Sequence, residues 1–140
     1  MKTSSSEEVR RLYDDSAQSY AEMMDAEIDL PMYADILGRL AERIKDVPGS
    51  LVDSSCGPGH MLLRYREAFD PQRPLIGIDL SPQMVALATA KLGQGAAVSL
   101  GDMRELPGIA DSSAAAILRF FGIHHLDTQG LTTAIKQWLI

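Results

Sequence analysis

Leu51-Val52-Asp53-Ser54-Ser55-Cys56-Gly57-Pro58-Gly59 is the stretch on which the reading of this chain turns. Ser50 to Asp53 reads as a short strand running into a glycine turn, and His60 to Phe69 reads as a helix. Glycine lets the backbone of such a turn approach a ligand closely. A Gly-x-Gly turn alone serves nucleotide sites and purely structural corners alike, and three further features narrow it. Asp53 stands just before the turn, where a carboxylate faces a cationic group and repels a pyrophosphate. No Gly-Lys-Ser or Gly-Lys-Thr follows, and Leu62 occupies the third-glycine place of the dinucleotide fingerprint. Asp79 ends the next strand roughly 20 residues after the glycines, where an acid accepts the hydrogen bonds of a ribose diol. The implied ligand is a nucleoside whose other end is cationic.

Outward from the turn, the same unit repeats. Pro74 to Ile78 is a short apolar strand reaching Asp79, and Ser81-Pro82 is an N-cap with an N1 proline that opens a helix through Lys91. A third strand, Ala96 to Leu100, leads to Gly101-Asp102. Ala114 to Phe120 reads as a buried fourth strand, although its three alanines favour helix locally, and Leu131, Ala134, Ile135 and Trp138 then share one helical face. Upstream, Ser4 and Ser5 stand at capping-box spacing from Glu7 and Glu8, and Val9, Leu12, Tyr13 and Tyr20 give a first helix to about Met24. Pro31 opens a second helix, whose stripe of Met32, Ile36, Leu37, Leu40 and Ile44 ends before Pro48-Gly49. Strands alternating with helices predict a parallel sheet with right-handed crossovers and helices on both faces. Residues 1–48 then form an N-terminal helical region and residues 49–140 an α/β core.

Composition bounds the partners. A chain of 140 residues with 46% hydrophobic and 23% charged residues is sized for one ordinary globular domain. Its net charge of -6 repels phosphate backbones and anionic headgroups, which argues against nucleic acid and membrane surfaces. Cys56 is the single cysteine, the N-terminus lacks the apolar core of a signal peptide, and no apolar run approaches the roughly 18 residues that span a bilayer. A cytoplasmic setting is expected.

Four segments carry a family resemblance. Leu51 to Gly59, Ile76-Gly77-Ile78-Asp79-Leu80-Ser81-Pro82-Gln83-Met84, Gly101-Asp102-Met103-Arg104-Glu105-Leu106-Pro107 and Phe121-Gly122-Ile123-His124-His125-Leu126 stand in the order of the small-molecule class I S-adenosylmethionine-dependent methyltransferases. Tyr13 to Tyr20 is similar to their lid helix, as in the quinone-biosynthesis C-methyltransferase group. The resemblance covers nearly the whole chain. It implies a Rossmann-like sheet of order 3-2-1-4, the first part of the family's seven-stranded 3-2-1-4-5-7-6 sheet, with S-adenosylmethionine as cofactor. By the same resemblance Asp53, Gly57 and Gly59 hold the methionine end, Cys56 fills a place under the cofactor, and Asp79 takes the ribose. Leu80 and Met84 flank the adenine, Asp102 accepts from its amino group, Met103 walls the ring, and Tyr20 closes over the site.

Two departures qualify that picture. Ser55 stands where the family has glycine, which predicts weakened but not abolished binding. The chain also stops at Ile140, inside the helix after strand four, so the fifth strand and final hairpin are missing and strand four is expected to be an exposed edge. The expected outcomes are a homodimer through that edge, further residues outside this sequence, or a marginal fragment.

The remaining residues have competing readings. His124 and His125 follow strand four, where one could act as general base toward the acceptor, while a plain surface turn explains them as well. Arg119 suits a carboxylate, of the cofactor or of an acidic substrate, and equally suits snorkelling to solvent. Cys56 has no basic neighbour in sequence to make it a nucleophile. His60 reads as a solvated first-turn residue, Met23, Met24 and Met32 as core packing, and Asp25 and Asp29 as solvated charges. The function expected is methyl transfer to a small-molecule acceptor. A non-catalytic cofactor-binding chain and a nicotinamide-dependent oxidoreductase are the alternatives, the second opposed by Asp53, Leu62 and Asp102.

Overall fold

The computed structural model describes residues 6–102 and 113–119. Helix α1 (Ser6–Glu27) buries Ala17, Ala21 and Met24, and Ile28 continues the same stripe at three- and four-residue steps. That continuing stripe carries the helix past its expected end near Met24. Helix α2 (Pro31–Ile44) opens on its proline and buries Tyr33, Leu37 and Ile44. Here the expected core methionines divide. Met24 is buried, but Met23 and Met32 are about half exposed: Met23 lies off the Ala17–Ala21–Met24 stripe of α1, and in α2 Tyr33 takes the inward place beside Leu37.

The sheet follows. Strands β1 (Ser50–Asp53), β2 (Leu75–Asp79), β3 (Ala96–Leu100) and β4 (Ala114–Leu118) are all parallel, in the order β3-β2-β1-β4 expected from sequence. Leu51 lies opposite Leu75 on one side and Ala116 on the other. Between the strands run α3 (His60–Ala68) and α4 (Pro82–Leu92). The Ser81 Oγ accepts the N–H of Met84, the N-cap bond its position predicts, and Pro82 occupies the first turn where no N–H is needed. Phe120, the expected end of strand four, and the helical face of Leu131 to Trp138 lie outside the described residues.

All four helices feed one core. Met24, Tyr33, Leu37, Met61, Leu62, Tyr65, Ala88 and Leu92 pack with Leu51 and Leu75 of the sheet. On the opposite pleat Val52 and Ile78 are fully buried in a second cluster with Ile76, Ala114 and Ile117, and no residue of α1 to α4 belongs to it. The described helices share one face, and the helix expected after strand four, which would follow on the other, lies outside the described residues.

Arg73, which sequence reasoning passed over, closes the loop between α3 and β2. Its buried guanidinium donates to the carbonyls of Ile44, Val47 and Gly49 at 2.7–2.9 Å and to Asp70 Oδ2 at 2.9 Å. Ile44 closes α2, and Val47 and Gly49 belong to the connection to β1, so this one side chain pins the helix end and the following loop together.

Candidate functional site

Parallel strands bring their carboxyl ends to one rim, where open α/β sheets receive ligands. Asp53 ends β1 and Asp79 ends its neighbour β2, while Gly101-Asp102 follow β3 and Arg119 follows β4. The convergence expected of these four positions is therefore present in the topology. Asp53 and Asp79 are 2% and 3% exposed, an arrangement that costs free energy unless each carboxylate is hydrogen-bonded.

Asp79 is bonded on both oxygens. Its Oδ2 accepts the Gly57 N–H at 2.8 Å and its Oδ1 accepts the Ser81 N–H at 3.0 Å, so one side chain ties the glycine turn to the start of α4. Asp53 Oδ1 accepts the Ser55 N–H at 3.1 Å. Burial pushes the Asp53 carboxyl up to about 7, the Ser55 bond works against that, and the charge of Asp79 adds to it. A rim built this way favours a ligand that brings positive charge or hydroxyl donors.

The turn itself has the openness expected of its glycines. Gly57 and Gly59 adopt φ of 53° and 93°, and Gly59 serves as the N-cap of α3 with its Cα face against Ala88. The half-buried Tyr20 ring of α1 lies 3.6 Å from where a Gly57 Cβ would be. Beneath the turn Cys56 is buried, with its Sγ 3.0 Å from where a Gly77 Cβ would be. Burial pushes this thiol well up, and the charges of Asp53 and Asp79 push it further, so it is a packing group and no thiolate. Gly77 is a site residue that its sequence position could have signalled, since glycine inside a strand marks close approach.

Along the rest of the rim, Leu80 is half-buried and Met84 is buried at the first turn of α4. Asp102 is half-buried and accepts the Ser6 hydroxyl at 2.9 Å, a link from the start of α1 that no local pattern announces. Arg119 is exposed. Met103, His124 and His125 lie outside the described residues. One expectation is overturned. His60 is not solvated; it is 6% exposed, and its Nε2 lies 2.7 Å from Asp25 Oδ1, because α1 packs down onto the start of α3. Asp25 and Asp29 keep exposed side chains, but both are engaged, the first with His60 and the second with Arg64.

Comparison with known proteins places this geometry. A family model described as a methyltransferase domain matches residues 51–139. Among solved structures, a candidate S-adenosyl-L-methionine-dependent methyltransferase from Methanococcus maripaludis is 21% identical with a TM-score of 0.73, over 89% of this chain and 56% of that one. An amino pentose methyltransferase of calicheamicin biosynthesis from Micromonospora echinaspora, solved with S-adenosylmethionine bound, is 25% identical with a TM-score of 0.63, over 82% and 48%. Magnesium protoporphyrin IX methyltransferase from Synechocystis PCC 6803, also solved with S-adenosylmethionine, is 18% identical with a TM-score of 0.68, over 95% and 69%. This chain thus spans about half the length of the first two. No curated protein sequence matches it.

Proposed function

Because this chain belongs to the methyltransferase-domain family, we propose that it binds S-adenosylmethionine at the rim of its sheet and directs methyl transfer to a small-molecule acceptor. The observation that carries the reading is the pair of buried carboxylates, Asp53 and Asp79, gathered under one glycine turn at the ends of adjacent strands. Two buried acids at the ends of adjacent strands suit a ligand that brings positive charge and hydroxyl donors. When bound, S-adenosylmethionine supplies an electrophilic methyl on a sulfonium, together with an ammonium group and a ribose diol.

The residues present fit that group. Asp53, Gly57 and Gly59 would receive the methionine end, with Cys56 filling the space beneath them. A carboxylate has about four acceptor positions, so Asp79 can hold two backbone N–H groups and still serve the ribose. Leu80, Met84 and Met103 would flank the adenine, and Asp102 would accept from its amino group. Arg119 is a candidate for the cofactor's carboxylate or an acidic acceptor. The chain's own work is to align and to exclude water, with Tyr20 on α1 covering the turn; alignment alone supplies about 7–11 kcal/mol in favourable cases. His124 or His125 would take the acceptor's proton where the acceptor carries one.

A nicotinamide dinucleotide fits less well. Leu62 is fully buried where a third glycine would let helix and strand approach, and Asp53 faces the place of a pyrophosphate. The net charge of -6 supports a small acceptor over nucleic acid. Among the described residues no helix is long and apolar enough to cross a membrane, and the free, buried Cys56 is compatible with the cytoplasmic setting that we include in the proposal. Titration calorimetry of the chain with S-adenosylmethionine tests the reading. Binding that drops at least tenfold in Asp79→Ala supports it, and no binding overturns it. Release of S-adenosylhomocysteine with an acceptor panel then separates an enzyme from a binding protein.

A further inference from the structure

Three helices meet around one side chain that the proposed chemistry leaves unused. His60 is the first residue of α3, directly after Gly59, and is buried. Its Nε2 lies 2.7 Å from Asp25 Oδ1 on α1, and Lys91 Nζ on α4 lies 3.9 Å from the same oxygen. One turn further on, Arg64 of α3 bonds Asp29, just past the end of α1. These are the charged groups that surround His60 from α1, α3 and α4. An ionised carboxylate only accepts, so Nε2 carries the proton and donates it to Asp25. Nδ1 is buried and has no hydrogen-bond partner among the described residues.

That combination makes the imidazole's place conditional. Its burial leaves one ring nitrogen unsatisfied, and the bond from the other nitrogen to Asp25 is what offsets that cost. Asp25 belongs to α1, the same helix that brings Tyr20 over Gly57. If α1 lifts, Asp25 goes with it and both ring nitrogens meet water. We propose that the His60–Asp25 hydrogen bond is the clasp that holds α1, and with it Tyr20, closed against the glycine turn, which makes His60 a positioning residue for ligand capture. The proposal rests on the reading above only for the identity of the ligand. Lys91 shares Asp25, so loss of His60 leaves Asp25 one of its two cross-helix partners, whereas loss of Asp25 removes both of these contacts.

Hydrogen exchange of the 17–28 amides in the ligand-free chain tests the clasp, with Asp25→Ala, His60→Ala, His60→Gln and the Asp25→Ala/His60→Ala double variant compared with the parent. Opening of α1 is expected to rise about tenfold in Asp25→Ala and by no more than that in His60→Ala, for the loss of one charge-assisted bond. The double variant should be no worse than Asp25→Ala, and amides of β1 and β2 should keep their protection. His60→Gln retains an N–H donor and should return α1 to near the parental rate. In parallel, S-adenosylmethionine affinity should fall in Asp25→Ala in proportion to the lost closed fraction and recover in His60→Gln. Unchanged α1 exchange in Asp25→Ala, a His60→Gln variant as open as His60→Ala, or loss of β1 and β2 protection together with α1 would each overturn the clasp. Asp25 is exposed, so its variant folds and keeps the test decisive. Should the parent bind no S-adenosylmethionine while Asp25→Ala still frees α1, the clasp stands and the cofactor reading falls.

Discussion

Replacing Asp53 by asparagine should make the ligand-free protein more stable and its proposed cofactor site worse. The carboxyl is 2% exposed, and burial moves it from an ordinary 3.8 up to about 7, with Ser55 opposing and Asp79 adding. Between those two values the folded chain holds a proton that the unfolded chain has lost. Stability therefore falls as pH rises from about 4 to about 7, and stays low above it. The displacement is worth about 4 kcal/mol as an upper limit, because relaxation and water entry around the rim relieve part of it. Asparagine keeps the shape and the oxygen that accepts from Ser55, and brings no charge. Half of the limit, about 2 kcal/mol, raises Tm by about 6 °C in a chain of this size. Thermal melts of parent and Asp53→Asn at about pH 4.5, 6 and 8 measure it: the two should lie closest at the lowest pH and separate as pH rises. S-adenosylmethionine should reverse the order at pH 8, since the parent alone can pair a carboxylate with a cationic ligand. A variant that melts below the parent at pH 8, or two curves that stay parallel across pH, would refute the reasoning.

Four other outcomes follow from the same geometry. Asp79→Ala should lower both S-adenosylmethionine affinity and Tm, because the side chain also holds the N–H groups of Gly57 and Ser81; a calorimetric titration beside a melt separates the two losses. Arg73→Ala should cost about 3 kcal/mol, read by urea unfolding, since it removes one donor each from the Ile44, Val47 and Gly49 carbonyls and the paired cation from the Asp70 carboxylate. Gly77→Ala should destabilise by pressing a methyl onto Cys56 Sγ and Cβ, and Cys56→Ala, which removes the sulfur alone, should restore part of the loss in the double variant. Burial holds the His60 imidazole below its ordinary 6.5 against the Asp25 bond, which raises it. The unfolded chain then binds the extra proton first, so stability contributed by this site is lost as pH falls below about 6.5; His60→Gln should remove that dependence from melts made in the Asp53→Asn background.

The parts of this fold that could be read in advance are those whose cause is local. Ser81-Pro82 specifies a helix start by its own hydroxyl and ring, and Ser81 Oγ does take the Met84 N–H. The strand-turn-helix run from Ser50 and the acid at Asp79 could be read the same way, while the sheet order came from the family resemblance of the motifs and not from any local signal. His60 was misread because a residue at the first turn of a helix is ordinarily wet, and its burial is decided by α1, which comes from elsewhere in the sequence. Arg73 was invisible for the same reason: its acceptors lie at the end of α2. Met32 sat in an apolar stripe, yet Tyr33 has the larger surface to bury and the helix turns to bury it. The Ser6–Asp102 bond joins two segments that no periodicity links.

The central place of β1 sets a schedule for assembly. It is the first of the described strands to be translated, yet Leu51 finds Leu75 on one side and Ala116 on the other, both of them later in the sequence. At about 5–20 residues per second, the later neighbour is translated on the order of several seconds after the first half of the chain has emerged. Through that interval one flank of the strand keeps its amide and carbonyl groups open to any passing extended segment. Its four residues close on the carboxylate of Asp53, so the template open to such mispairing is short and carries a charge, the two features that disfavour edge-to-edge association.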